Sequence, residues 1–428
     1  MGRRSVQRSA FLAVWAAQSV SSVGSQFSLI ALPLLAVSAL HAGPFEVGLL
    51  ATAETLPYLI VSLPAGVLAD RSDRRTLMIV SDVGRAIALG VLPPAFFLGV
   101  GSLPLLIASA LVVGSLSVVF TVAQQSYLPE IVDDEDLTGA NQRVEVSDSG
   151  ARVVGPTLGG AAVHALGVFA AVLGDAASYL GSAIIVLLAP RPERRVVSPP
   201  ERGIGLRGEM LEGLQAVWWD RVLRDLMLAT ALFNLASGMV LAQVVLFSTH
   251  DLGMDAGFFG LAYGVANGGF VLGALSVTWL ERRIGAGTML IACSAIGALA
   301  VLLIGGAGLG LGVAGLVLGR FAGAVSSPII NVAIVTVRQR RTAGRLHGRV
   351  AATFRCIDWG TAPIGAILSG VIGSAHGLTS VMLLAAGFAI ASAALLTVGP
   401  VRSVTLHPTE RQAVSSPPLR ALPVAEEI

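Results

Sequence analysis

Lysine is absent from the 428 residues, so every one of the 28 Lys/Arg positions is arginine. Without lysine there is no phosphate-cradling G-x-x-x-x-G-K-[ST] loop, which excludes ATP hydrolysis of that type as a driving force. Cysteine is nearly absent. Cys293 and Cys356 sit far apart in apolar stretches, which excludes a disulfide framework or a cysteine-built metal site and leaves two buried free thiols as the expectation. Charge is scarce, at 13% of residues against about 25% in ordinary soluble domains. With 54% hydrophobic residues and a mean hydropathy of +0.79, a soluble fold of this size has too few polar side chains to cover its surface. Fifty glycines fit helices that approach one another closely in lipid.

Arginine occurs only in every second gap between long apolar stretches. Arg3, Arg4 and Arg8 precede the first stretch. The next gap, near His41, has none. Arg71, Arg74 and Arg75 follow, then a bare gap near Gly101, and the alternation continues to the C-terminus. Arginine-rich loops stay cytoplasmic, so the pattern reads as a chain threaded back and forth through the cell membrane with both ends inside. The net charge of +2 is then a matter of topology, and no nucleic-acid partner is expected.

A spanning helix needs about 20 mostly apolar residues. Twelve stretches qualify, roughly 11–37, 46–69, 76–99, 104–128, 142–165, 168–189, 223–248, 257–280, 287–306, 309–335, 349–373 and 377–399. The first is much longer than the 7–15-residue core of a secretory signal. The ~10-residue alternating segments of a β-barrel are not found. The expectation is an all-α integral membrane protein with two pseudo-symmetric six-helix bundles, 1–189 and 223–400. A cytoplasmic connector, 190–222, joins them, and a disordered Pro/Ser-rich cytoplasmic tail, 401–428, follows. Leu206, Met210, Leu214 and Trp218 in the connector have helical spacing, as in an interfacial amphipathic helix. Duplication is visible at two offsets. Gly66 matches Gly273, Pro156 matches Pro363 and Gly159 faces Ala366 at 207. Ala165-Leu-Gly167 resembles Ala375-His-Gly377, and Pro190 pairs with Pro400, at 210. Such repeats place a substrate site between the halves.

Two motifs carry more. The loop after the second stretch reads Gly66-Val-Leu-Ala-Asp70-Arg71-Ser-Asp73-Arg74-Arg75-Thr-Leu-Met78. Gly66 permits close helix contact, Asp70 can accept hydrogen bonds from a neighbouring helix N-terminus, and Arg71 and Arg75 can pair with carboxylates. Contacts of this kind form a latch that breaks when the inner side opens. The fifth stretch contains Gly155-Pro156-Thr-Leu-Gly159-Gly160. There proline kinks the helix and the glycines form a flat surface for a facing helix. The first motif resembles the cytoplasmic signature of the major facilitator superfamily, with Asp73 in place of the second glycine. The second resembles that superfamily's antiporter motif, with Ala151 at its leading glycine. Gly344-Arg-Leu-His-Gly348-Arg349-Val with Pro363-Ile-Gly365 resembles the bacterial siderophore- and macrolide-exporter branch. The resemblance covers nearly the whole chain and implies a gradient-driven transporter working by alternating access, with export as the tilt. Span four, Pro104 to Leu128, lacks the arginine that many proton-coupled drug exporters carry there.

Ionisable groups at membrane depth are costly and mark functional candidates. Glu54, halfway along span two and three residues before Pro57, can take a proton from one side and release it to the other. The alternatives are permanent pairing or a water-filled vestibule. Asp175 in span six is similar but nearer a loop. Arg320 in span ten either pairs structurally or meets an anionic group or Glu54. Asp82 and Arg85 share one face of span three near its inner end, as a structural ion pair or a gating pair. Arg143, Glu145, Asp148 and Arg152 in span five match Arg355 and Asp358 in span eleven, which points to an inter-half gating network or to local pairing. His164, His250 and His376 are expected to face solvent at the outer side, and the acidic run 133–136 to be a solvated inner loop. A thin scatter of neutral polar groups, including Gln18, Gln26, Gln243 and Asn267, leaves a mostly apolar cavity suited to a lipophilic or amphipathic cargo. The expected activity is proton-driven export of such a compound. An importer or uniporter of a metabolite, or a non-transporting receptor, are the alternatives. No enzyme activity, cofactor or metal is implied, and the partners are the cargo, protons and the bilayer. Cargo identity and oligomeric state are not written in the residues.

Overall fold

A computed structural model of the chain describes residues 3–132, 137–190, 212, 214–342 and 346–399. The acidic run 133–136, most of the connector and the tail lie outside the described residues, and with them the interfacial-helix and tail expectations. All regular structure among the described residues is helical.

In the first half of the chain α1 is Arg3–Leu40, α2 Pro44–Ile60, α3 Ser62–Arg71, α4 Arg74–Gly90, α5 Leu92–Phe97, α6 Leu103–Ile131, α7 Leu137–Leu166 and α8 Val168–Leu188. In the second half α9 is Arg221–Leu246, α10 Ala256–Asn267, α11 Gly269–Ile284, α12 Ala286–Gly306, α13 Gly312–Arg341, α14 His347–His376 and α15 Leu378–Val398. The starts are chemically marked. Asp73 caps α4 by accepting from Thr76 N (3.3 Å), and Asp220 caps α9 by accepting from Val222 N (2.8 Å). Asp255 caps α10 by accepting from Phe258 N (2.9 Å). That N–H, more than any other contact, holds the exposed Asp255 carboxyl below its ordinary range. A group with a lowered folded value stabilises above the usual aspartate range, so this cap weakens as acid protonates it.

Nine helical stretches among the described residues are long and apolar enough to cross a membrane. One of them, Gly287–Arg338, has 52 residues. At 1.5 Å per residue that is roughly 78 Å, more than twice a ~30 Å hydrocarbon core. The chain turns back inside it, where Gly310 (φ 117°) and Gly312 (φ 54°) adopt left-handed backbone that side chains disfavour.

α1 packs on α7 and α8, α4 on α6 and α8, and α2 on α6. In the second half α9 packs on α14 and α15, and α12 on α13 and α15. Two extensive pairings join the halves, α2 with α14 and α7 with α10, and α9 makes smaller contacts with α1 and α2. The halves repeat in detail. α7 and α14 each have 30 residues, α8 and α15 each have 21, and the glycines between them share one backbone conformation, φ 87° ψ 165° at Gly167 and φ 83° ψ 164° at Gly377. Over these four helices the register is 210. The 207 pairing of Pro156 with Pro363 is corrected by it: Pro156 corresponds to Ala366, and Pro363 sits one turn earlier, at the place of Val153.

The apolar core is divided unevenly. At the arginine-bearing end one cluster, around Val14, Met78, Phe120 and Ile131, is built by the first half alone. Another, around Leu226, Leu290, Val337 and Phe354, is built by the second half alone. Toward the arginine-poor end one cluster mixes Ile30 and Val47 with Val244, Phe247, Phe259 and Met382, beside another, around Leu35, Leu92 and Leu106, that the first half builds alone. Cys293 is buried as expected, but Cys356 is exposed. Its position on α14 lies beyond the part of that helix sealed against α2.

Candidate functional site

Two glycine seams close the arginine-poor end. On α7 the motif glycines serve two faces rather than one flat surface. Gly155 and Gly159, one turn apart, lie against Gln26 and Phe27 of α1. Gly160 lies against α10, where an added Cβ would be 2.5 Å from Ala256 O and 2.7 Å from Gly260 Cα. Gly260 in turn abuts the Pro156 carbonyl. The pseudo-equivalent seam joins α2 to α14. A Cβ on Gly48 would lie 2.7 Å from Ala366 O and 2.9 Å from Gly370 Cα. Gln243 of α9 donates to Pro44 O (2.8 Å). His164 and Asp255 face each other across the α7–α10 seam at 3.5 Å, both exposed. His250 is exposed too, beside Asp251.

Beneath the α2–α14 seam lies a cavity of about 50 Å³, walled by Leu29, Pro33, Leu50, Glu54, Ala362 and Ala366 among others. A water occupies roughly 30 Å³ of liquid, so this conformation holds only a small group there. Glu54 is the one ionisable side chain in its wall. It is half-buried and makes no hydrogen bond or salt bridge among the described residues. One turn along α2, on the same face, Tyr58 meets Trp359 of α14 edge to face, centroids 6.0 Å apart.

Asp175 is fully buried and lies outside the lining of that cavity. It accepts from Ser28 of α1 and from Ser178 (3.2 Å). Asp82 and Arg85 pair directly inside the α4–α6–α8 packing, Asp82 0% and Arg85 4% exposed. The guanidinium stacks on Tyr179 (4.2 Å) and Phe120 (4.6 Å) and donates to Ser117 (3.3 Å). The ion-pair alternative therefore describes them. Removing one partner strands a buried charge, so Arg85→Ala should lower stability by about 3–5 kcal/mol. Asp82→Leu combined with Arg85→Met should recover most of that, as read by thermal unfolding in detergent.

Arg320 does not reach Glu54. It donates through Nε to Asn267 Oδ1 (2.7 Å) and lies over the rings of Tyr263 (4.6 Å) and Phe270 (5.6 Å). Asn267 passes the link to the first half by donating to Arg152 O (2.6 Å). The described bonds of the α7 and α14 charges run within each half rather than between them. Asp148 accepts from Ser22 (2.5 Å) and Gln18 (3.3 Å) of α1. Asp358 accepts from Asn234 of α9 (3.0 Å). Arg143, Glu145 and Arg152 are exposed. The side chains of Arg355 and Asp70 lie outside the described residues.

In the loop motif, Arg71 is exposed and Arg74 pairs with Glu130. Arg75 meets no described carboxylate. It is buried and donates to Leu187 O at the end of α8 (2.6 Å), where a cation complements the carbonyl end of a helix. Gly66 has no atom within 4 Å of an added Cβ, so the close contact expected of it is not made in this conformation. Asp73, the departure from the family pattern, is the extended-backbone cap of α4 (φ −69°, ψ 111°). No left-handed glycine is needed there. Asp73→Ala should cost about 1 kcal/mol of stability, seen as a small fall in Tm.

Residue-by-residue reading missed the seam partners Gly48 and Gly260 and the bridging roles of Gln243 and Asn267. The repeat Gly260-x-x-x-Gly264 was the available signal. No group of three or more His, Cys, Asp or Glu able to hold a metal occurs among the described residues.

Comparison with known proteins agrees with this architecture. The chain is 30% identical to the MFS-type transporter YfiS of Bacillus subtilis over 202 residues, 47% of each chain. It is 27% identical to the MFS-type transporter y4rN of Sinorhizobium fredii, covering 89% of this chain and 92% of that one. It is 26% identical to the multidrug efflux pump Tap of Mycolicibacterium fortuitum, covering 88% and 92%. The fold matches a point mutant of the nucleoside transporter NupG with TM-score 0.76 and 12% identity over 91% of this chain and 99% of that one. It also matches an inward-facing bacterial homologue of the lysosomal transporter Spinster, with TM-score 0.71 and 15% identity over 92% and 96%. The family model described as transmembrane secretion effector matches residues 5–427, and the chain belongs to this family of major facilitator superfamily transporters.

Proposed function

We propose that the protein exports a small lipophilic or amphipathic compound in exchange for protons. It would do so by rocking two six-helix units, 1–189 and 223–400, about the cavity at Glu54. The observation that carries this reading is the uneven core. The halves share one apolar cluster at the arginine-poor end and keep separate clusters at the arginine-bearing end. A molecule closed on one side and divided on the other is one of the two states that alternating access requires. Positive-inside topology makes the divided side cytoplasmic. Twelve crossings follow when Gly287–Arg338 is counted as two and when α2–α3 and α7 are added. Both termini then lie in the cytoplasm.

Efflux is supported by the likeness to Tap, and import by the shared fold with a nucleoside transporter. Inside-out vesicles acidified within by respiration separate the two. An exporter loads a lipophilic dye into them, and collapse of the proton gradient releases it. Loading that ignores the gradient overturns proton coupling, and loading only in right-side-out vesicles overturns export.

A further inference from the structure

Resting on that transport reading, we infer that the cargo is an amphipathic anion. Its charged head would be held between Arg152 of the first half and Arg320 of the second.

Several arginines of the chain have a carboxylate of their own. Arg85 pairs with Asp82, Arg74 with Glu130 and Arg349 with Glu212. Arg152 and Arg320 differ. Of the five N–H donors of a guanidinium, Arg320 commits the Nε one to Asn267 Oδ1 (2.7 Å). Its Nη atoms meet no acceptor among the described residues. The Arg152 side chain is exposed and has no partner among them either. Asp148, one turn earlier on α7, accepts from Ser22 and Gln18 of α1 instead. One buried side chain joins the two arginines across the boundary between the halves. Asn267 is 2% exposed. It donates through Nδ2 to Arg152 O (2.6 Å) and accepts from Arg320 through Oδ1. The Arg152 charge acts on Tyr58 of α2, and Tyr58 meets Trp359 of α14. Arg152 therefore extends into the space between the halves and not into lipid.

A guanidinium at membrane depth without an anion is costly. Its planar fork holds a carboxylate, sulfonate or phosphate through two parallel N–H···O bonds. The rings of Tyr263 and Phe270 lie under the Arg320 plane and leave its Nη edge free for such an anion. The same rings lead to a place for an apolar body. Tyr263 stacks on Phe259, centroids 5.2 Å apart. Both line a narrow cleft with Leu29 and Leu241, and those two leucines also wall the Glu54 cavity. An apolar wall thus runs from the arginine pair toward Glu54. A cationic head would meet the two arginines as like charges. The anion and the proton are then held by different groups. Their exchange rests on the rocking of the halves that the arginine pair spans, not on competition for one side chain.

The test uses three probes on the purified full-length protein, 4-phenylbutane-1-sulfonate, its neutral isostere 4-phenylbutane-1-sulfonamide, and (4-phenylbutyl)trimethylammonium. Binding is followed by calorimetry, and modification of arginine by phenylglyoxal is followed by mass spectrometry. The sulfonate is expected to bind at least about tenfold tighter than the sulfonamide, with the ammonium weakest, and to protect Arg152 and Arg320 from phenylglyoxal. Arg152→Gln and Arg320→Gln should each remove most of that preference. Arg320→Lys, which keeps the charge but not the fork, should keep part of it. Arg152 has no described side-chain partner to lose, so its variant tests the site even where Arg320→Gln lowers stability through Asn267. Equal binding of sulfonate and sulfonamide overturns the inference, and so does an Arg152→Gln variant with the preference intact. Bound sulfonate that leaves both arginines open to phenylglyoxal overturns it as well. None of these readouts needs a proton gradient, so they stand or fall separately from the vesicle experiment that tests transport.

Discussion

Gly48→Ala combined with Gly160→Ala is expected to hold the transporter open at its outer side and to reduce net transport by more than tenfold. Each new Cβ would meet backbone, not a flexible side chain: Ala366 O at 2.7 Å for Gly48 and Ala256 O at 2.5 Å for Gly160. Backbone on two packed helices yields only by moving the helices apart. Overpacking costs about 1–3 kcal/mol per site. The two seams are pseudo-equivalent and separate, so their costs add. About 2–6 kcal/mol moves a two-state equilibrium roughly thirty-fold or more. In the alternating-access reading proposed above the seams part when the outer side opens, and the whole penalty then falls on the outer-closed state. Thiol labelling of single cysteines near His164 and Phe45 should accelerate, while labelling near Arg152 should slow. Gly66→Ala is the control, because open space surrounds that position in the outer-closed state and this state should tolerate it. Unchanged labelling in the double variant would remove the seams from the gating account.

Glu54→Gln is expected to abolish accumulation against a gradient while leaving downhill exchange of cargo. A pH difference of about 1.7 units supplies about 2.3 kcal/mol per proton, enough for roughly a fifty-fold cargo ratio. An amide fills nearly the same space but carries no exchangeable charge, so the ratio should fall to about one. Asp175→Asn serves as comparison. Asp175 is held by Ser28 and Ser178 and does not line the cavity, so that variant should keep most of the accumulation ratio and lose stability instead. Proteoliposomes with an imposed pH difference measure both. Retained accumulation in Glu54→Gln would assign the proton to another group.

Positions along the chain are legible where a single helix decides the outcome. Spans 142–165 and 168–189 correspond to α7 and α8, and the turns at Gly167 and Gly377 are marked by their repeat. Pairings across the molecule are not legible. The loop motif suggests a carboxylate for Arg75, which finds the carbonyl end of α8. Arg320, a candidate partner of Glu54 by depth alone, stacks on Tyr263 instead. Asp82 and Arg85, placed by hydropathy near the inner end, lie wholly inside one half. In each case the partner lies on a helix far away in sequence, and no local pattern encodes which face that helix turns.

What the sequence by itself determined is the solvent and the period. Scarce charge and long apolar stretches demand lipid, and helices are the form in which such stretches satisfy their backbone there. The alternation of arginine sets which ends share a side. Only the tertiary structure decided which glycines seal, which acid is left facing a cavity, and which side is shut. Those depend on helix rotation and close approach, which follow from packing of two copies of a fold against each other and leave no trace in the hydropathy of either.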